Sequence, residues 1–273
     1  MKILITGTTG FIGRSLADYF AKNHIVIEHT RDSMRLSGAI YVNKPDVIIH
    51  CAGEIYDAAN MFTTNVVMVN EILESIKEYC PNTKLVQIGS SAEYGPILKP
   101  GNELDRIDPV DVYQATKGSA TLLCQGYARQ FGLKTLVARI YSGYGANERP
   151  HRLFPKLYRA FFHNESMTLR DGVHDFIYID DFVRGVELVV QQDWPTGEIV
   201  NFGSGVQTTN LEVLQAWERI TGRKGNVDYE PGLSKAYEGL VWQCNTEYAK
   251  TQYGFETEFS LQQGIEDFIR KMI

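Results

Sequence analysis

The sequence predicts an α/β chain: a doubly wound parallel sheet with a smaller C-terminal α/β lobe. Three observations predict it. Short apolar runs alternate with segments of helical apolar spacing from residue 3 to about residue 140, the signature of repeated β-α-β units. A glycine-rich turn, Thr6-Gly7-Thr8-Thr9-Gly10-Phe11-Ile12-Gly13, joins the first apolar run to the first helical segment. The rhythm then loosens after Tyr144-Gly145. This divides the chain into residues 1–150 and a lobe of residues 151–273, with a segment near 174–202 returning to the main sheet.

Each element follows from its residues. Ile3-Leu4-Ile5 reads as a buried strand, and Ser15 to Ala21 as the helix after the turn. Gly7 permits the tight turn, Gly10 lets backbone approach a pyrophosphate, and Gly13 lets the helix sit close to the strand. The helix N-terminus then faces the anion. Gly7, Gly10, Phe11, Ile12 and Gly13 therefore make a dinucleotide-binding corner, in the spacing G-x-x-G-x-x-G rather than G-x-G-x-x-G. The plain alternative is an ordinary glycine-rich turn.

His24 to His29 reads as the second strand, and the stretch from Arg31 to Lys44 is short and weakly patterned. Val47 to His50 is a strand ending in Cys51-Ala52-Gly53. Ala58 to Tyr79 has helical spacing and stops at Pro81-Asn82. Lys84 to Ile88 is a strand that runs into Gly89-Ser90-Ser91. Val112 to Phe131 is a helix closed by Gly132, and Thr135 to Ile140 the next strand. Beyond it come a helix over Leu153 to Phe162, the run His174 to Ile179, and a helix to Gln191 with Asp180 as its cap. A strand over Glu198 to Phe202, an amphipathic helix over Leu211 to Ile220 and a last helix from about Leu261 complete the chain.

Composition narrows the function. A net charge of −6 leaves no basic surplus for a general nucleic-acid binder. No apolar run reaches membrane-spanning length, and Met1-Lys2 leads straight into the first strand without a signal segment. Cys51, Cys80, Cys124 and Cys244 are scattered, as reduced thiols of a cytoplasmic protein would be. The histidines show no paired metal spacing, so no metal is expected.

Chemistry concentrates in two places. Tyr113 and Lys117 sit four apart on a predicted helix, so both emerge on one face. A tyrosine hydroxyl titrates near ~10, and a neighbouring ammonium lowers that value. The pair can then exchange a proton with a carbinol oxygen. Ser90 and Ser91 end a strand, where either hydroxyl can hold a carbonyl as it gains oxyanion character. Cofactor choice is written at the second strand's end. A carboxylate there holds the ribose of NAD, whereas His29-Thr30-Arg31 offers a guanidinium for the 2′-phosphate of NADP. NADP(H) is expected to be preferred. NAD(H) is possible if Asp32 takes the ribose.

Together these residues resemble the extended short-chain dehydrogenase/reductase family, in its branch acting on nucleotide sugars. The landmarks are Gly7, Gly10, Phe11-Ile12-Gly13, His50-Cys51-Ala52-Gly53, Asn65, Ser90-Ser91, Tyr94-Gly95, Tyr113, Lys117, Arg139, Tyr144-Gly145, His174-Asp175-Phe176 and Asn201-Phe202-Gly203-Ser204-Gly205. The resemblance implies a Rossmann fold, a nicotinamide cofactor touching Cys51, Ala52, Gly53 and Asn65, and a Ser-Tyr-Lys site. Counting back four from Tyr94 places the catalytic serine at Ser90, with Ser91 beside the substrate. It also implies a homodimer through the helices at 58–79 and 112–131.

Departures from the family matter. Ala92 stands where dehydratase members carry an acid. Ser142 and His174 stand where the family has Asn and often Arg at the nucleotide diphosphate, leaving Arg152 and Arg170 as candidates for that anion. The expected function is reduction of the C4 ketone of an NDP-4-keto-6-deoxy sugar. A nucleotide-sugar 4-epimerase that retains NAD is the alternative, and a non-catalytic dinucleotide sensor is a further one.

Overall fold

The computed structural model describes residues 1–233 and 241–272. Six parallel strands form the main sheet: β1 (Lys2–Thr6), β2 (Ile25–His29), β3 (Val47–His50), β4 (Lys84–Ser90), β5 (Thr135–Ile140) and, from much later in the chain, β9 (Glu198–Phe202). Their order is β2-β1-β3-β4-β5-β9. The chain winds outward from β1 to β2, then crosses to β3 and winds the other way. The switch point therefore lies between β1 and β3, and a crevice opens at their carboxyl ends.

Alternate strand residues feed two cores, because successive side chains point to opposite faces. Ile3, Ile5, Val47, Ile49, Val86 and Ile88 pack with α1 (Phe11–Phe20) and α7 (Ile179–Gln191). Leu4, Ile48, Leu85 and Val137 pack with α2 (Leu36–Asn43), α4 (Met68–Tyr79) and α5 (Val112–Phe131). The first core continues without a break into α6 (Leu153–Phe162), α8 (Asn210–Thr221) and α10 (Leu261–Met272) through Phe154, Trp217 and Phe268. The C-terminal part thus shares its hydrophobic core with one face of the sheet.

That part also carries two small sheets. One joins β6 (Ser142–Tyr144), β8 (Val173–Tyr178) and β10 (Gln207–Thr209); the other pairs β7 (Met167–Asp171) with β11 (Val227–Leu233). A short helix α9 (Glu247–Tyr253) packs near β9.

Four elements differ from the sequence reading. Helix α1 starts at Phe11, directly after Gly10 as its N-cap, so Gly13 lies inside its first turn. The weakly patterned stretch after Arg31 contains α2, which buries only Leu36, Ala39 and Ile40 and leaves Tyr41 and Val42 exposed. The long helix is interrupted: α3 (Ala58–Phe62) passes through a π turn, Thr63–Val67, before α4 begins. Asp180 lies within the first turn of α7, whose N-cap is Tyr178.

Candidate active site

The glycine corner is held by contacts that only glycine allows. Gly7 has a left-handed φ of 70°. A Cβ there would come within 2.7 Å of Ala52 N. A Cβ on Gly13 would lie 2.3 Å from the Gly7 carbonyl oxygen. Helix α1 can therefore dock on the turn, and the turn on the end of β3, only with hydrogen at both positions. Beneath them, Thr6 Oγ1 meets His50 Nδ1 at 2.6 Å and accepts from Ala52 N at 3.2 Å. The Thr8 hydroxyl is buried with no partner among the described residues. A bare backbone corner, an unpaired buried hydroxyl and a helix N-terminus suit the pyrophosphate of a dinucleotide.

The catalytic candidates stand across the crevice. Strand β4 ends at Ser90, which caps a turn of 3₁₀ helix, Ser91–Tyr94. Ser90 Oγ accepts from Ala92 N at 3.2 Å, and Ser90 N donates to Glu93 Oε1 at 2.8 Å. This reciprocal capping fixes the serine's position. Glu93 is fully buried, and it also accepts from Thr121 Oγ1 at 2.6 Å and pairs with Arg139 Nε at 2.8 Å. Arg139 in turn donates to the Tyr94 hydroxyl at 2.9 Å.

Tyr113 and Lys117 rise from the first turns of α5, which is capped by Asp111 through Gln114 N. Lys117 is buried, and its Nζ donates to the Ile88 carbonyl at 2.5 Å. Burial pushes its pKa down, while the charge on Glu93 opposes that shift. The Tyr113 phenol is raised, chiefly by burial; the Ser90 side chain pulls it down and Glu93 pushes it up. The expectation that the Lys117 ammonium draws this phenol below its usual value is therefore corrected. Desolvation dominates at the hydroxyl, and the ammonium is engaged at β4.

One cavity of about 390 Å³ collects most of the candidates. Gly7, Gly10, Phe11, Ile12, Gly13, Cys51 and Gly53 line it on the corner side. Ser90, Ser91, Tyr113, Ser142, Arg152 and His174 line it on the other. Ser142 Oγ lies 3.2 Å from His174 Nδ1. The remaining candidates lie elsewhere. Lys117 and Ala52 are not among the lining residues: Ala52 serves as the backbone donor to Thr6, and Lys117 donates to the Ile88 carbonyl. Asn65 spends its amide on Glu54 N, Glu54 O and Thr116 Oγ1, which clamps the loop after β3 to α5. Arg31 is exposed beyond β2. Arg170 is an exposed residue of β7 paired with Glu230 at 2.7 Å, so its charge is directed to β11 and not into the cavity.

Residues 3–203 match the description of the NAD dependent epimerase/dehydratase family. The chain belongs to this family. A UDP-glucose epimerase of Bacillus subtilis described as uncharacterized, YtcB, is 27% identical over 98% of this chain and 97% of its own. Among solved structures, dTDP-glucose 4,6-dehydratase from Bacillus anthracis in complex with NAD superimposes with a TM-score of 0.89 at 22% identity. That match covers 100% of this chain and 96% of the other. RMD from Pseudomonas aeruginosa complexed with NADPH matches with a TM-score of 0.86 at 18% identity, covering 99% and 98%.

This epimerase/dehydratase-family chain also carries site residues that sequence reading passed over. Glu93 was within reach: Ser90-Ser91-Ala92-Glu93 fits the S-x-x-E capping pattern. Glu148 and Arg149 line the cavity with no local signal to announce them. Tyr56, which also lines the cavity, meets His151 Nε2 through its hydroxyl at 2.6 Å.

Proposed function

We propose that this family member reduces the C4 ketone of an NDP-4-keto-6-deoxy sugar, with NADPH as the preferred cofactor. The observation that carries the reading is the shared cavity: Ser90 and Tyr113 face the Gly7–Gly13 corner across it. Bound at that corner, a nicotinamide cofactor supplies hydride. The chain does the rest. Ser90 Oγ donates a hydrogen bond to the keto oxygen as negative charge develops on it. Tyr113 delivers the proton to the same oxygen. A phenol raised above its usual range keeps its proton at neutral pH, which suits an acid in the reductive direction. Lys117, anchored at Ile88, has two further N–H groups for the nicotinamide ribose.

The substrate class draws on the relatives, whose names specify UDP-glucose and dTDP-glucose. Ala92 on the cavity wall supplies no acid for a dehydratase's elimination step. A 4-epimerase that retains NAD is the second reading, favoured by the epimerase relative. It uses the same serine and tyrosine without net consumption of cofactor.

Several similar structures carry NAD, and RMD from Pseudomonas aeruginosa carries NADPH, so the proposed preference for NADPH rests on Arg31. The exposed guanidinium can take the 2′-phosphate with two charge-assisted bonds. NADPH is expected to exceed NADH in kcat/KM, and Arg31→Ala to cut that selectivity by roughly tenfold or more, each lost bond being worth about 1.5–3 kcal/mol. Equal use of the two cofactors by the wild type would sink the preference and favour the epimerase.

A further inference from the structure

The cavity wall carries an acid that the proposed reduction does not use. Glu148 stands in the segment between β6 and α6, and its side chain is only 6% exposed. One carboxylate oxygen meets Arg152 Nε at 3.3 Å. The other is buried and has no partner among the described residues. A buried carboxylate held by one long contact is poorly compensated for its lost hydration.

Arg152 is placed differently. Its side chain is half exposed and lines the same cavity. Its contact with Glu148 uses Nε and leaves both terminal nitrogens without a partner among the described residues. Its charge is felt by both the Tyr113 phenol and the His174 imidazole. The guanidinium lines the same cavity as Tyr113 and as Val173 and His174 of β8.

We propose that Arg152 is a two-position cation: it rests on Glu148 without substrate and moves to the substrate's diphosphate, while Glu148 takes up a proton from solvent. The proposal rests on the nucleotide-sugar reading above and adds its coupling to protons. A planar guanidinium offers two parallel N–H groups to a phosphate. Once it leaves, Glu148 would be a buried anion without a cation, and the neutral acid becomes the favoured form. Burial already pushes this carboxyl up to about 7 against the lowering pull of Arg152. One anion arrives, one proton is taken from water, and no other reactant is needed.

The other titratable and charged groups lining this cavity are Cys51, Tyr56, Asp111, Tyr113, Tyr141, Arg149 and His174. His174 is the rival proton acceptor. Burial, and then Arg152, push it down to about 4, and an arriving anion would raise it.

Isothermal titration of the NAD-loaded chain with UDP-glucose tests this, repeated near pH 7 in buffers of different ionisation enthalpy. UDP-glucose is a suitable probe because its diphosphate has no group titrating near neutrality. The expected result is uptake of about half a proton per site. Uptake should persist in His174→Asn and vanish in Glu148→Gln while binding remains. Arg152→Met should weaken UDP-glucose by roughly tenfold or more, leave NAD binding unchanged, and also abolish the uptake. That second variant keeps the test open if Glu148→Gln fails to fold. No uptake by the wild type, undiminished uptake in Glu148→Gln or Arg152→Met, loss of uptake in His174→Asn, or undiminished affinity in Arg152→Met overturns the proposal and leaves the nucleotide-sugar reading intact. A wild type that binds NAD but no nucleotide sugar overturns both.

Discussion

His50 shows how one buried side chain links the cofactor corner to pH. Its Nδ1 is held by Thr6, and its Nε2 is buried without a partner among the described residues. Burial, with lesser contributions from the charges on Lys117 and His29, pushes it down to about 3. The native state keeps this imidazole neutral, while the unfolded chain protonates it below about 6.5. Its stabilising contribution is therefore complete above about 6.5 and lost as pH falls toward 3. His50→Asn removes that dependence. The stability gap between wild type and variant should narrow by roughly 2 kcal/mol between pH 6.5 and 5. Urea unfolding at the two pH values measures it, and a constant gap would show that His50 is not buried neutral. Residues of this kind were only half legible. Gly10 and Gly13 could be read because their close contacts are with Gly7, a near neighbour in sequence, whereas His50, whose partner Thr6 lies 44 residues away, entered only as a landmark of the resemblance. Glu93, whose cation Arg139 lies 46 residues away, and Arg170, whose partner Glu230 lies 60 away, depend on pairings that only the folded chain reveals.

The strand end at Ser90 is the element that fixes the chemistry in place. Glu93 ties together the backbone of Ser90, the hydroxyl of Thr121 on α5 and the guanidinium of Arg139 on β5. Side chains of this ion pair are 0% and 1% exposed. Removing one partner of such a pair leaves the other as an uncompensated buried charge. Glu93→Gln is therefore expected to destabilise the protein by about 3–5 kcal/mol, with a lower Tm. A loss below about 1 kcal/mol, the range of exposed pairs, would contradict that reading. Legibility at this scale followed burial pattern. Strands and long helices were readable because their apolar residues repeat at a period of 2 or near 3.6. Helix α2 was not, since it buries three residues in one short patch and exposes apolar neighbours. The early start of α1 was hidden because the helix begins inside the glycine motif itself.

For the whole molecule, the layered sheet organises every site. Its switch point puts the corner and the Ser90–Tyr113 wall at one edge of the strands, and β9 returns to close the other side. The division at residue 150 was expected from rhythm alone, and hydrophobic packing runs across it. Outside this core, Phe62, Val67 and Leu122 are exposed on α3, the π turn after it, and the neighbouring α5. Apolar residues on the outward faces of two adjacent helices are costly in water and suit a subunit contact. A homodimer through this surface is expected, and light scattering at micromolar concentration should return twice the chain mass. A monomer mass would assign those residues no role in assembly. No described helix is long and apolar enough to cross a membrane.

The central claim is that the cavity passes hydride to a C4 ketone with net use of reduced cofactor, and that Tyr113 supplies the proton. Following NADPH absorbance while an NDP-4-keto-6-deoxy sugar is reduced tests both parts at once. The account expects one NADPH consumed for each sugar reduced by the wild type, and turnover lower by roughly two orders of magnitude or more in a folded Tyr113→Phe variant. Conversion of nucleotide sugars without loss of NADPH, or near-normal turnover in Tyr113→Phe, would contradict it.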